Sequence, residues 1–88
     1  MSSVLIYTKP FCPYCTRALH LLQQKKGVTI REIDDAAYDP IKKREMMQKA
    51  GGRATFPQIF IDGRHVGGCD DLLALDRAGQ LDKLLRAA

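Results

Sequence analysis

A chain of 88 residues has room for one domain and one core, because small domains bury a smaller fraction of their surface, and a second domain is excluded. The apolar share of 45% and the charged share of 27% are those of ordinary globular proteins, and they set aside a disordered or membrane-spanning class. Lys and Arg outnumber Asp and Glu 14 to 10, yet the longest basic run is Lys42-Lys43-Arg44 and there is no Trp, so the pattern argues against nucleic-acid binding. A small anionic ligand, or simply a solvated charged surface, accounts for the surplus.

Met1-Ser2-Ser3 carries no basic flank, long hydrophobic segment or small-residue cleavage site, so no secretion signal or membrane anchor is expected. Val4 to Thr8 is a compact apolar run closed by Lys9-Pro10, which predicts a strand buried on both faces. From Pro13 the period changes. Ala18, Leu19, Leu21 and Leu22 recur at helical spacing, and Gly27 ends the segment. Val28 to Ile33 alternates without a breaker and predicts a second strand, parallel to the first across a right-handed helical crossover.

Asp39 is a helix cap followed by Pro40 at the first helical position, and Ile41 to Ala50 supplies helix formers until Gly51-Gly52. Gln58 to Ile61 and Arg64 to Val66 then form a hairpin around Asp62-Gly63. From Asp70, the spacing of Leu72, Leu73, Leu75 and Ala78 predicts a helix ended by Gly79, and Leu81, Leu84 and Leu85 predict one more short turn of helix. The order β-α-β-α-β-β-α implies an α/β fold in which a four-stranded mixed sheet carries helices on both faces, a thioredoxin-like layout.

The three cysteines are too few and too unevenly spaced for a secreted disulfide scaffold, so the close pair Cys12 and Cys15 points to redox chemistry or metal binding in a reducing compartment. Cys12 stands where the first strand gives way to the first helix, beside backbone N–H groups without helical partners. Those groups, the positive end of the helix and Lys9 favour a thiolate, which makes Cys12 the nucleophile. Cys15 lies on the same helix face, within reach of a disulfide, and deeper among bonded N–H groups, which makes it the resolving thiol. Pro13 suits a first helical turn, and Tyr14 places an aromatic ring beside the sulfurs. The competing reading is a zinc site of Cys12, Cys15, Cys69 and one of His20 or His65, against which stands the lack of a second close ligand pair.

Three features in order, Cys12-Pro13-Tyr14-Cys15 at a strand-to-helix turn, Thr55-Phe56-Pro57 before a strand, and Gly67-Gly68-Cys69-Asp70-Asp71 opening a helix, make the chain resemble the bacterial dithiol glutaredoxins of the thioredoxin-like superfamily. The resemblance spans essentially the whole chain. It implies a single domain over residues 1–88 and a cytoplasmic enzyme that uses glutathione to reduce protein disulfides and protein–glutathione mixed disulfides. The resemblance also implies a monomer with no bound cofactor.

It further implies a cis peptide before Pro57, with the backbone of Phe56 pairing to the cysteine of glutathione like an added strand. Lys9 and Arg44 would hold the glycine carboxylate, and Cys69 and Asp70 at the start of the last helix would hold the γ-glutamyl end. Tyr14 and Thr55 complete the expected glutathione site. Asp70 or Asp71 alternatively serves only as the helix cap, and Cys69 only as a small buried apolar residue. Phe56 departs from the valine common at that position. A binding module that shares an iron–sulfur cluster through Cys12 and glutathione is the rival implied by some similar proteins, and Pro13 speaks against it.

Overall fold

The computed structural model describes residues 2–86. Strand β1 (Ser2–Tyr7) pairs in parallel with β2 (Val28–Ile33) and antiparallel with β3 (Gln58–Ile61), and β4 (Arg64–Gly67) pairs antiparallel with β3. The sheet order is therefore β2-β1-β3-β4, as expected for a mixed four-stranded sheet.

The strand period of two divides the apolar residues between two layers. Val4 and Ile6 of β1 with Ile59 and Ile61 of β3 face one side, against Ala18 and Leu22 of α1 (Pro13–Gln23), Leu72 of α3 (Cys69–Arg77) and Leu81 and Leu85 of α4 (Gln80–Arg86). On the opposite side Tyr7 and Phe60 meet Ala36, Ala50 and Met46, the last from α2 (Pro40–Lys49). Tyr7 and Phe60 pack edge to face, with ring centroids 5.9 Å apart.

Local chemistry sets the element ends. Asp39 Oδ1 accepts from the N–H groups of Ile41 at 3.0 Å and Lys42 at 3.2 Å, so it caps α2 just ahead of Pro40. Asp62 and Gly63 take φ of 49° and 82°, the left-handed pair that a two-residue hairpin turn requires.

Some boundaries differ from the sequence reading. β1 starts at Ser2, because its N–H donates to the Gly27 carbonyl at 3.1 Å and its hydroxyl donates to the Leu85 carbonyl. The strand is only partly buried on both faces: Ser3 is exposed and Leu5 half-buried. α3 starts one residue earlier, at Cys69, and β4 extends to Gly67. α4 is longer than a single turn. Leu81 and Leu85, one turn apart, drive into the core, while Lys25 Nζ joins Asp76 at 3.0 Å and Asp82 at 2.9 Å, tying the end of α1 to both closing helices.

Leu81→Ala is therefore expected to cost about 2–5 kcal/mol in denaturant unfolding, the range for truncating a buried leucine. Ile41→Ala, at an exposed position, should change stability by less than about 0.5 kcal/mol. Equal effects at the two positions would remove α4 from the core.

Candidate active site

The segment from Thr8 to Cys12 carries the chain off the centre of the sheet. Thr8 is still held at the end of β1, its N–H donating to the Ile33 carbonyl at 2.9 Å and its hydroxyl to Glu32 at 2.6 Å. Phe11 then adopts a φ of 55°, sparsely populated for a bulky residue, and stands fully exposed. Cys12 returns to extended geometry, with φ −114° and ψ 101°, as the residue that caps α1.

In that position its sulfur does what a serine or aspartate oxygen does at other helix starts. The Cys15 N–H donates to Cys12 Sγ at 3.3 Å, and the Cys15 thiol donates to the same sulfur, the two sulfurs lying 2.7 Å apart. Both cysteines are free thiols and buried, Cys12 at 8% exposure and Cys15 at 3%. Burial pushes the Cys15 thiol up to about 12, and its hydrogen bond to Cys12 adds to the shift, while the backbone and charge of Lys9 oppose it. Cys15 thus stays a protonated donor at neutral pH, facing a sulfur that receives two donors.

A narrow groove of about 150 Å³ opens beside the dithiol turn, lined by Tyr14, Thr55, Phe56, Pro57, Cys69 and Asp70, six of the residues expected from the sequence. The Phe56–Pro57 peptide is cis. Lys9 reaches the same region, its Nζ 5.9 Å from the centre of the Phe56 ring, a cation–π distance. Arg44 does not join them. It lines a separate open hollow on α2 with Lys43, Met47 and Gln48. A larger hollow of about 530 Å³, between β4 and the two closing helices, contains none of the cysteines.

Three further residues line it: Gly68 and Asp71, expected only as part of the motif that opens the helix, and Arg53, which the sequence did not single out. Asp71 Oδ2 accepts from the Gly68 N–H at 2.9 Å and from Arg53 at 3.2 Å. Gly68 is thus the cap residue of α3, with Asp71 reaching back to its N–H, while Asp70 lines the groove. Gly67, with a φ of 121°, lies against this pair, and any side chain there would run into the Asp71 carboxylate. The sequence signal for Asp71 was its place three residues after the cap position; Arg53 gave none. Cys69 is buried at the start of α3, and burial pushes its thiol up. Among the described residues, no group of three or more His, Cys, Asp or Glu is placed to hold a metal ion, and no helix is long and apolar enough to cross a membrane.

The Gly68 N–H, and secondarily Arg53, hold the Asp71 carboxyl below its usual range. A carboxyl lowered on folding contributes stability above its unfolded value of about 3.9 and loses that contribution as pH falls through the folded value. Asp71→Asn should accordingly be less stable than the parent at neutral pH, with the gap in denaturant midpoint closing below about pH 4. A gap unchanged in acid would take the charge out of the account.

The family model described as Glutaredoxin matches residues 4–66. Glutaredoxin 3 of Escherichia coli K12 is 57% identical over 88 residues, covering 98% of this chain and 100% of the relative. The glutaredoxin of Pseudomonas aeruginosa is 55% identical over 89 residues, covering 99% and 100%. Among solved structures, the glutaredoxin from Brucella melitensis superposes with a TM-score of 0.78 at 55% identity, covering 96% of this chain and 88% of that one. A buckwheat glutaredoxin–glutathione complex gives 0.80 at 29% identity, covering 96% and 76%. A helix capped by one sulfur of a close dithiol, on a four-stranded mixed sheet shared with these relatives, places this chain in the glutaredoxin family of glutathione-dependent thiol–disulfide oxidoreductases.

Proposed function

We propose that Cys12 is the nucleophile and Cys15 the resolving thiol in the reduction of protein–glutathione mixed disulfides and protein disulfides. The observation that carries this reading is the pair of donors, the N–H and the thiol of Cys15, directed at Cys12 Sγ. Both favour negative charge on that sulfur and neither favours it on Cys15.

With a glutathionylated protein, the Cys12 thiolate attacks the glutathione sulfur. The old disulfide breaks, the protein leaves as a thiolate, and glutathione stays on Cys12. A second glutathione thiolate attacks that mixed disulfide, giving glutathione disulfide and free Cys12. With a protein disulfide, Cys12 becomes disulfide-bonded to the target, and Cys15 gives up its proton and displaces it. Two glutathiones then reduce the Cys12–Cys15 disulfide, releasing one glutathione disulfide.

Capping of Cys12 has a consequence for its partner. The hydrogen bond and the charge of Cys12 both raise the Cys15 thiol, and both disappear once Cys12 is in a disulfide. Burial, the largest cause of the raised Cys15 thiol, remains, but the part that Cys12 adds is removed when Cys12 is in a mixed disulfide.

The groove beside the dithiol turn is the proposed glutathione site. The backbone of Phe56 next to Pro57 pairs with the cysteine portion, Lys9 faces the glycine carboxylate, and the start of α3 at Cys69 receives the γ-glutamyl carboxylate, with the Asp70 side chain for its ammonium. Tyr14 and Thr55 wall the groove. Arg44 lies on another hollow and reaches a carboxylate only from outside the groove. Glutathione is the reducing cosubstrate and no cofactor need reside on the chain, which acts as a cytoplasmic monomer with its 88 residues as one working domain. Glutaredoxin potentials of about −200 to −230 mV lie above the probe-derived cytosolic glutathione poise, so the pool drives the reductase direction.

Glutathione-dependent reduction of a small mixed disulfide, followed by NADPH consumption through glutathione reductase, tests the assignment. Wild type and Cys15→Ser should turn over while Cys12→Ser falls to background. Loss of activity in Cys15→Ser equal to that in Cys12→Ser would overturn the separation of roles. Brief alkylation at pH 7 should label Cys12 ahead of Cys15, read by peptide mass, because the Cys15 thiol remains protonated there.

A further inference from the structure

Gln58 follows Pro57 directly and is fully buried in β3, on the face it shares with Phe60. A buried amide must have partners for both ends. Here they lie in opposite directions. Gln58 Oε1 meets His65 Nε2 at 2.7 Å, and Gln58 Nε2 donates to Thr55 Oγ1 at 3.0 Å. His65 is itself fixed, opposite Phe60 in the β3–β4 register with ring centroids 5.0 Å apart.

The direction of each bond follows from the groups involved. An amide oxygen only accepts, so His65 Nε2 carries the proton and donates. The amide NH₂ is then turned toward Thr55, whose hydroxyl uses a lone pair to accept. A hydroxyl that accepts from behind retains its own proton, and Thr55 is exposed in the groove wall. A relay that starts at the open edge of the sheet thus ends in a hydrogen-bond donor presented to the groove.

We propose that Gln58 and His65 are positioning residues for glutathione recognition: His65 orients the buried Gln58 amide, which holds the Thr55 hydroxyl as a donor to an acceptor oxygen of the bound glutathione moiety. The proposal rests on the assignment of the groove to glutathione made above, and it adds two residues that touch neither ligand nor thiols. The polarity of the relay, rather than the mere filling of space, is what it uses.

Gln58→Glu separates the two. The carboxylate keeps the shape and still accepts from His65, but it accepts from Thr55 as well, so the hydroxyl proton turns inward. With the mixed disulfide of glutathione and mercaptoethanol as substrate, Gln58→Glu should raise KM about fivefold, the worth of one neutral hydrogen bond, with kcat within about twofold. Thr55→Val should match it, Thr55→Ser should restore the parental KM, and the double variant Gln58→Glu/Thr55→Val should be no worse than Thr55→Val alone. Parental KM in Gln58→Glu, or multiplied losses in the double variant, overturns the relay. If circular dichroism shows that Gln58→Glu does not fold, His65→Phe decides: it keeps the ring against Phe60, removes the donor, and should raise KM about threefold, whereas an unchanged KM overturns the proposal. Activity of the parent that survives Cys12→Ser would instead overturn the functional assignment beneath it, a different readout in the same assay.

Discussion

The site depends on one unusual cap. Helix starts expose N–H groups that need an acceptor, and here the acceptor is sulfur: the Cys15 N–H reaches Cys12 Sγ at 3.3 Å. Because the cap residue is also the proposed nucleophile, the turn that starts α1 directs a donor at the same sulfur that the proposed reaction uses. The helix cannot form its first turn in the observed way without placing the Cys15 N–H on that sulfur. Pro13, which has no N–H to satisfy, fits between the two cysteines without adding an orphan donor.

The sheet serves to hold that cap against two other chain segments. β1 lies in the interior of the sheet, between β2 and β3, with apolar layers on both faces, so the exit of the chain toward Cys12 is anchored from four directions. β3 leaves the same interior position to begin from Phe56-Pro57, and the bulged end of β4, where the register shifts between Ile59 and Phe60, turns the chain through Gly67-Gly68 into α3. The groove is where these three departures from regular structure meet. Its walls are loops and helix ends, while its footing is the interior of the sheet, buried on both faces.

Much of this was written locally in the chain. The capped start of α2 at Asp39-Pro40, the Asp62-Gly63 turn, the helical spacing after Pro13 and the thiol pair all act over a few residues, so they could be read directly. What stayed hidden acts across sequence distance. Arg53 and Asp71 are 18 positions apart; Arg53 alone reads as an ordinary surface charge, and Asp71 as no more than a candidate helix cap. Gln58 in a strand of four buried residues resembles a misplaced polar side chain until His65 and Thr55 are seen at its two ends. Arg44 was drawn toward the groove by family pattern and charge, but its turn of α2 faces another hollow. The second turn of α4 depends on core space beside α1 and α3, which periodicity in a seven-residue segment does not reveal.

Gly67 shows how narrowly such a junction can be specified. Its missing side chain is what lets the Arg53–Asp71 pair lie against the strand end, and its φ of 121° lies where other residues are strained. Exposed positions without such contacts usually tolerate substitution, but an allele that changes this one strikes the last residue of β4 and the Asp71 and Arg53 side chains that line the groove together. Such an allele would behave genetically as a loss of both stability and ligand recognition, although position 67 carries no reactive group of its own.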